Sequence, residues 1–394
     1  MRKLFLFLFI ALFMSQAASA VTFDTVWVKN YNNQYNIYFA SFAKDTTKIY
    51  AAMDSTIYIL DLQNGNIIDS MEKAPSLVGH TRLSFNGNRI ASTLYENYTV
   101  IWNDSSKRII KTFQYDSISE IDYHGTCALS PDGRYFIGNA SSTFLDYYHF
   151  KKYQTKLFVY DLNADTLVKW LDSLWNPTRE IQYITFSPDG NYFVISAAFV
   201  SNNGTLNNGR LAKFSVNGWQ EQKVLEEFAD SIYGYLCYSN NGKYLTGTKP
   251  DHLGSSYIWD MDADTLYRTY TREKLGDSYG MMKFTPDNQY ILFAGGYSDS
   301  LRTQIWDFVN DTSVYAANFH ASAAFEMSIN ENYLLVGIFN KIYLLTPNWT
   351  KTGISDIIQT KSFNIYPNPS SDFLNINSAN MNGKKIDIYE RRCL

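Results

Sequence analysis

Along the middle of the chain, apolar runs alternate with short polar interruptions, and one interruption recurs. It reads hydrophobic residue, Ser or Thr, often Pro, Asp or Asn, then Gly, two spacers and a new apolar run. The clearest copies are Leu129-Ser130-Pro131-Asp132-Gly133 and Phe186-Ser187-Pro188-Asp189-Gly190. Leu83-Ser84-Phe85-Asn86-Gly87, Tyr238-Ser239-Asn240-Asn241-Gly242 and Phe284-Thr285-Pro286-Asp287-Asn288 keep most of it, and degenerate copies at 42–46 and 327–331 bracket the set. Short apolar runs bounded by such turns predict strands, so the chain is expected to be all-β.

The seat that Gly fills in the better copies falls at 46, 87, 133, 190, 242, 288 and 331, spaced 41 to 57 residues apart and about 47 on average. That period is too long for a leucine-rich repeat and suits a four-stranded propeller blade, which predicts a seven-bladed β-propeller. Asp or Asn precedes the seat every time: Asp45, Asn86, Asp132, Asp189, Asn241, Asp287 and Asn330. Pro presets φ, Asp or Asn folds its side chain onto the backbone, and Gly tolerates a left-handed conformation, so these aspartates are structural and not catalytic.

A second strand follows each turn, as at 135–139, 192–196, 290–294 and 333–337, and a third ends in an aromatic residue before Asp or Asn: Trp102-Asn103, Tyr160-Asp161, Trp259-Asp260, Trp306-Asp307. The copies resemble WD40 and TolB-type repeats, which share the Ser-Pro-Asp-Gly turn and the Trp-Asp or Tyr-Asp strand end. The resemblance covers residues 36–346, and only blade 2 carries the Gly79-His80 pair of a WD40 repeat. A WD40-like ring without the structural tetrad is implied.

Counting strands tests closure. The last copy supplies 323–329, 333–338 and 341–345 but no fourth strand, whereas Thr22 to Val28, with alternating Phe23, Thr25 and Trp27, has no other partner. An N-terminal strand completing the last blade is expected to seal the ring and leave no open edge there.

Each end changes character. Arg2 and Lys3, an apolar run from Leu4 to Met14, and Ala18-Ser19-Ala20 read as a secretory signal peptide, residues 1–20, cleaved between Ala20 and Val21. The apolar run is about half of the roughly 20 residues a bilayer span demands, and no other stretch would span, so no transmembrane segment is expected in the mature chain. The propeller is assigned to residues 21–349 and a linker to 350–361. In the last part, 362–394, the run Tyr366-Pro367-Asn368-Pro369 is followed by alternating segments at 372–376 and 385–389. This resembles the opening of the type A C-terminal sorting domain of type IX secretion cargo in Bacteroidetes. It implies export by Sec and then the type IX machinery, with a secreted or outer-surface destination. Family members run on for several more strands, so a short, incomplete β-sandwich segment is expected.

Composition narrows the function. Lys and Arg total 34 against 38 Asp and Glu, a net charge of −4; losing Arg2 and Lys3 takes it to −6. No basic excess exists to hold a phosphate backbone, which argues against nucleic acid as a partner. Cys127, Cys237 and Cys393 are too scattered for a disulfide framework, and the first two are expected to be buried thiols of first strands.

The distance from the Gly seat to the aromatic that ends the third strand is longest in blades 3 and 4, which places the excess in their loops between the second and third strands. Long loops in an economical repeat carry function. The blade 3 insert holds Tyr147, Tyr148, His149, Lys151, Lys152 and Tyr153, an aromatic and basic cluster suited to stacking on, or gripping, a polar polymer. Asn202, Asn203, Asn207 and Asn208 in blade 4, Asp251 and His252 in blade 5, and Tyr297, Asp299 and Arg302 in blade 6 share that face. The expected function is a binding module for a protein, peptide or glycan. The alternative is a propeller hydrolase or lyase drawing acid and base from His124, His252, Asp251 or Asp299 at the channel mouth. A third reading is a structural spacer in a surface assembly. The five histidines lack metal-ligand spacing. Asp161-x-Asn163-x-Asp165 and Asp260-x-Asp262-x-Asp264 lack the Gly and distal Glu of a calcium loop, so neither a metal nor a cofactor is expected.

Overall fold

The computed structural model describes residues 21–31, 37–94, 98–114, 126–145, 151–171, 179–200, 206–228, 234–248, 255–271, 281–295, 302–317, 324–349, 364–366 and 375–377. Contacts divide the chain into two units, 1–350 and 351–394. In the second, Asn364–Tyr366 pairs antiparallel with Asn375–Asn377, Ile365 opposite Ile376. The strand expected at 385–389 lies outside the described residues.

The first unit is a seven-bladed β-propeller of seven four-stranded antiparallel sheets. Among the described residues there is no helix, and so none long and apolar enough to cross a membrane. Blades 1 to 6 each take four consecutive strands, numbered here from the innermost; in blade 1 they are Ile37–Phe42, Lys48–Met53, Thr56–Asp61 and Ile67–Ser70. Each blade touches the next, and blade 7 touches blade 1.

Blade 7 takes Ala324–Met327, Leu334–Ile338 and Lys341–Trp349 from the end of the unit, and its fourth strand, Val21–Asn30, from the beginning. The clasp runs from Val21 opposite Trp349 to Asn30 opposite Lys341, with one bulge between Thr25 and Trp27. It also reaches into blade 1. The Trp27 indole N–H donates to the Leu62 carbonyl at 2.8 Å and the Tyr31 hydroxyl to the Gly65 carbonyl at 2.6 Å. Gly65 is required there: its φ is +69°, and a Cβ would come within 2.7 Å of Lys29 and 2.9 Å of the Trp27 ring.

The core lies between blades. Ile137 and Val159 of blade 3 pack with Ile184, Phe193 and Phe214 of blade 4, all essentially without exposure. Each such side chain contributes about 1.5–3 kcal/mol by leaving water.

The recurring turn has one mechanism. In blade 3 the Ser130 hydroxyl accepts the Tyr135 N–H at 2.8 Å and donates to Asp132 at 2.6 Å, while Asp132 accepts the Arg134 N–H at 3.0 Å. The Gly133 N–H returns to the Ser130 carbonyl at 2.8 Å. Ser84, Ser187, Ser239, Thr285 and Ser328 repeat the hydroxyl's role. All seven seats are left-handed, including the non-glycine Thr46 (φ 56°), Asn288 (φ 61°) and Glu331 (φ 59°). The aspartates are engaged in turns, as their residue types predicted.

Two expectations change in detail. The excess length of blade 3 is strand: Tyr135–Leu145 and Lys151–Asp161 pair along their whole length, Leu145 opposite Lys151. Blade 4 likewise extends its second strand to Val200 and begins its third at Leu206. Counting residues between landmarks cannot distinguish a loop from a longer hairpin. The third strand of blade 7 also runs on to Trp349 instead of ending at Leu345, because the clasp supplies partners for the added residues.

Candidate functional site

The first strand of each blade enters from the loop-rich face and ends in the Ser/Thr turn, so a position counted back from that turn is repeated seven times around the axis. Two residues before the turn Ser or Thr, or before Ala43 in blade 1, stand Ser41, Arg82, Ala128, Thr185, Cys237, Lys283 and Glu326. Their neighbours one residue further back, such as Cys127, Ile184, Leu236 and Phe325, are fully buried between blades. The alternation of a strand turns the intervening set to the axis, and all seven line one cavity of about 470 Å³. The cavity is rimmed by the residues that follow the turn Ser or Thr: Phe85, Pro131, Pro188, Pro286 and Ile329, with Lys44 and Asn240 completing the circle. Its inner end holds Phe39 and Tyr183.

Phe85 and Ile329 leave 48% and 51% of their surface in solvent, which makes the rim apolar and open. Deeper in, charge is arranged unevenly. On one side Lys283 pairs with Glu326 at 2.8 Å. Glu326 also accepts the Ser41 hydroxyl at 2.9 Å and the Phe42 N–H at 3.3 Å. Burial alone would depress the Lys283 ammonium, but the charge and hydrogen bond of Glu326 outweigh it and hold the group above its ordinary value. On the other side the Arg82 guanidinium lies over the Tyr183 ring at 4.6 Å and donates one bond, at 3.0 Å, to the Thr81 carbonyl. Among the described residues no carboxylate stands within ion-pair distance of it.

Bulges aim these groups. The first strands of blades 2, 4 and 5 shift register between Val78 and Thr81, Ile181 and Tyr183, and Gly234 and Cys237. Such shifts redirect side chains locally. At the third of them Tyr235 adopts φ 50°, and its ring lies 6.2 Å from that of Tyr183.

Of the residues expected to bind ligand, Lys151, Lys152 and Tyr153 lie on the third strand of blade 3, opposite Leu145, Phe144 and Thr143. Arg302 begins the third strand of blade 6, opposite Gly295. Tyr147, Tyr148, His149, His252 and Tyr297 lie outside the described residues, as do His124, Asp251, Asp299, Ala20, Pro367, Asn368 and Pro369. Val21 opens the clasp and is fully buried, and Tyr366 ends the first strand of the second unit. Cys127 is buried as expected, and burial pushes its thiol up to about 11. Cys237 departs from expectation by lining the cavity only partly buried, although burial still raises its thiol. Asp161 and Asp260 each accept two backbone N–H bonds of their own turn. Among the described residues no three His, Cys, Asp or Glu side chains gather to hold a metal.

Sequence reasoning passed over the cavity, although the signal was present. Aligning the seven copies on the turn Ser or Thr and reading the position two before it would have collected Arg82, Lys283 and Glu326 in one ring. Compared with protein-family models and with curated proteins, the chain matches none. The class stands on its architecture: a closed, seven-bladed β-propeller with an open central cavity.

Proposed function

We propose that the chain is an exported binding propeller of WD40-like or TolB type, carried by Sec and then by type IX secretion to the cell surface or beyond. Its ligand seats in the central cavity on the turn face. The cavity itself carries this reading: it is concave, rimmed by apolar side chains, and holds a few convergent polar groups deeper in, the usual make-up of a ligand site. Catalysis has less support. Glu326, the carboxylate among the described lining residues, is engaged by Ser41, Phe42 and Lys283 and is poorly placed to accept a substrate proton. The extended hairpins of blades 3 and 4 favour a second reading, a contact surface on the opposite face that includes Lys151, Lys152 and Tyr153.

Cys237 makes the site testable. In a Cys393→Ser background, ligands selected on glycan and peptide arrays should slow alkylation of Cys237, and Thr185→Trp, which fills the cavity, should abolish their binding. Ligands that bind without protecting Cys237, and whose binding falls instead with Lys151→Ala/Lys152→Ala, would move the site to the other face. For export, the secreted chain should begin at Val21 on N-terminal sequencing, and retention in the cell after Tyr366→Ala/Pro367→Ala would support the sorting role.

A further inference from the structure

We infer that the cavity selects a ligand bearing a planar, singly charged carboxylate next to an apolar group, with Arg82 as its anchor. The inference rests on the cavity being the binding site and goes on to name the chemistry it takes.

Charge separates the cavity from the rest of the molecule. The chain as a whole carries −4, yet among the described residues the lining contains Lys44, Arg82 and Lys283 against the single carboxylate of Glu326. Lys283 and Glu326 neutralise each other at 2.8 Å. That leaves Arg82 as the uncompensated charge of the inner ring, with one of its donors used on the Thr81 carbonyl. A guanidinium has five N–H groups in a rigid fork that matches a carboxylate bidentately. Stacking on Tyr183 at 4.6 Å fixes the plane of that fork before any ligand arrives, so less side-chain freedom is lost on binding.

The count of charges distinguishes among anions. Among the described residues inside the rim the balance is one net positive charge, which suits one carboxylate. A phosphate monoester carries about −1.5 to −2 at neutral pH and would also face Glu326 across the same cavity. Beyond the fork, Phe85, Ile329 and the turn prolines offer apolar surface to the remainder of the ligand. The carboxylate can belong to a peptide C-terminus or to a uronic acid of a glycan, and the test separates the two.

The mature chain, 21–394, is titrated with N-acetyl-L-phenylalanine and its primary amide, with trigalacturonate and its methyl ester, and with inorganic phosphate. At least one acid should bind ten-fold or more tighter than its neutral partner and tighter than phosphate. Arg82→Gln should bring the acid-to-neutral ratio close to one, and Arg82→Lys should leave it intermediate, since charge without the fork is retained. A peptide source shows preference in the first pair, a glycan source in the second. Equal binding of acid and neutral partner, no binding of either acid, phosphate as the tightest ligand, or a preference that survives Arg82→Gln would each overturn the inference. Cys237 alkylation distinguishes the two levels: array ligands that protect Cys237 while showing no acid preference sink the carboxylate and leave the cavity as the site. An unchanged, slow alkylation of buried Cys127 in each variant confirms that it is folded.

Discussion

Two rings of residues lie two positions apart on the same seven strands and could hardly differ more. At the turn, six of seven blades hold Ser or Thr, each accepting the same backbone N–H and reaching the same Asp or Asn. Two residues earlier the ring reads Ser, Arg, Ala, Thr, Cys, Lys and Glu. The turn residue has the same task in the six blades that carry a hydroxyl there, with Ala43 the exception in blade 1, and a buried backbone donor left unpaired costs about 1–3 kcal/mol. The axial residue is asked by the fold for little more than fitting the channel. Variation within a repeat therefore marks the place where the fold has released its hold and chemistry can be installed.

The largest effect should come from removing what both rings depend on. Deleting residues 21–30 strips the fourth strand from blade 7 and exposes the edge of Lys341–Trp349. The chain should lose its cooperative unfolding transition or go insoluble, as followed by circular dichroism and sedimentation. Ser130→Ala should then destabilise by about 1–3 kcal/mol in denaturant unfolding, since the Tyr135 N–H loses its buried acceptor. A cost below about 0.5 kcal/mol would dissolve the distinction between the rings. Glu326→Ala tests the axial position that does carry structure, by orphaning Lys283 and Ser41, and about 1–2 kcal/mol is expected. Thr185→Val, at an axial position with no such bonds, should stay within about 0.5 kcal/mol of the native chain.

A pH measurement sharpens the turn's side of the contrast. Burial alone would raise the Asp189 carboxyl, but the Ser187 hydroxyl and the Asn191 backbone and side-chain amides hold it below the usual carboxylate range. Its contribution is thus complete above the unfolded value of about 4 and is lost as the pH falls through the depressed folded value. Asp189→Asn keeps the acceptor, as Asn86, Asn241 and Asn330 do in their own blades. It should cost less than about 1 kcal/mol at neutral pH and flatten the decline of stability below pH 4.

The same contrast explains what could be read from the chain alone. Turn chemistry acts over five residues, and seven copies reinforce one another, so the blade count, the structural aspartates and the clasp from Thr22 onward were all legible. Hairpin extension in blades 3 and 4 was not, because paired strands and loops of equal length look alike until their registers are seen. Arg82 and Cys237 look like ordinary members of alternating strands; only superposing the copies shows that they share an axis. Cys237 was expected to be buried because most first-strand residues are. It lines the cavity because its register matches Arg82 and not Cys127.

The clasp also sets a clock. Val21 and Trp349 pair across nearly the whole unit, and bringing such distant ends together costs about 4 kcal/mol more chain entropy than closing a turn of about five residues. Every blade before the last can zip from neighbouring hairpins, but the latch must wait for a strand made some 320 residues later, about 15–60 s of synthesis at 5–20 residues per second. Throughout that interval the chain is an open arc. The ring is sealed only once its last blade has been made.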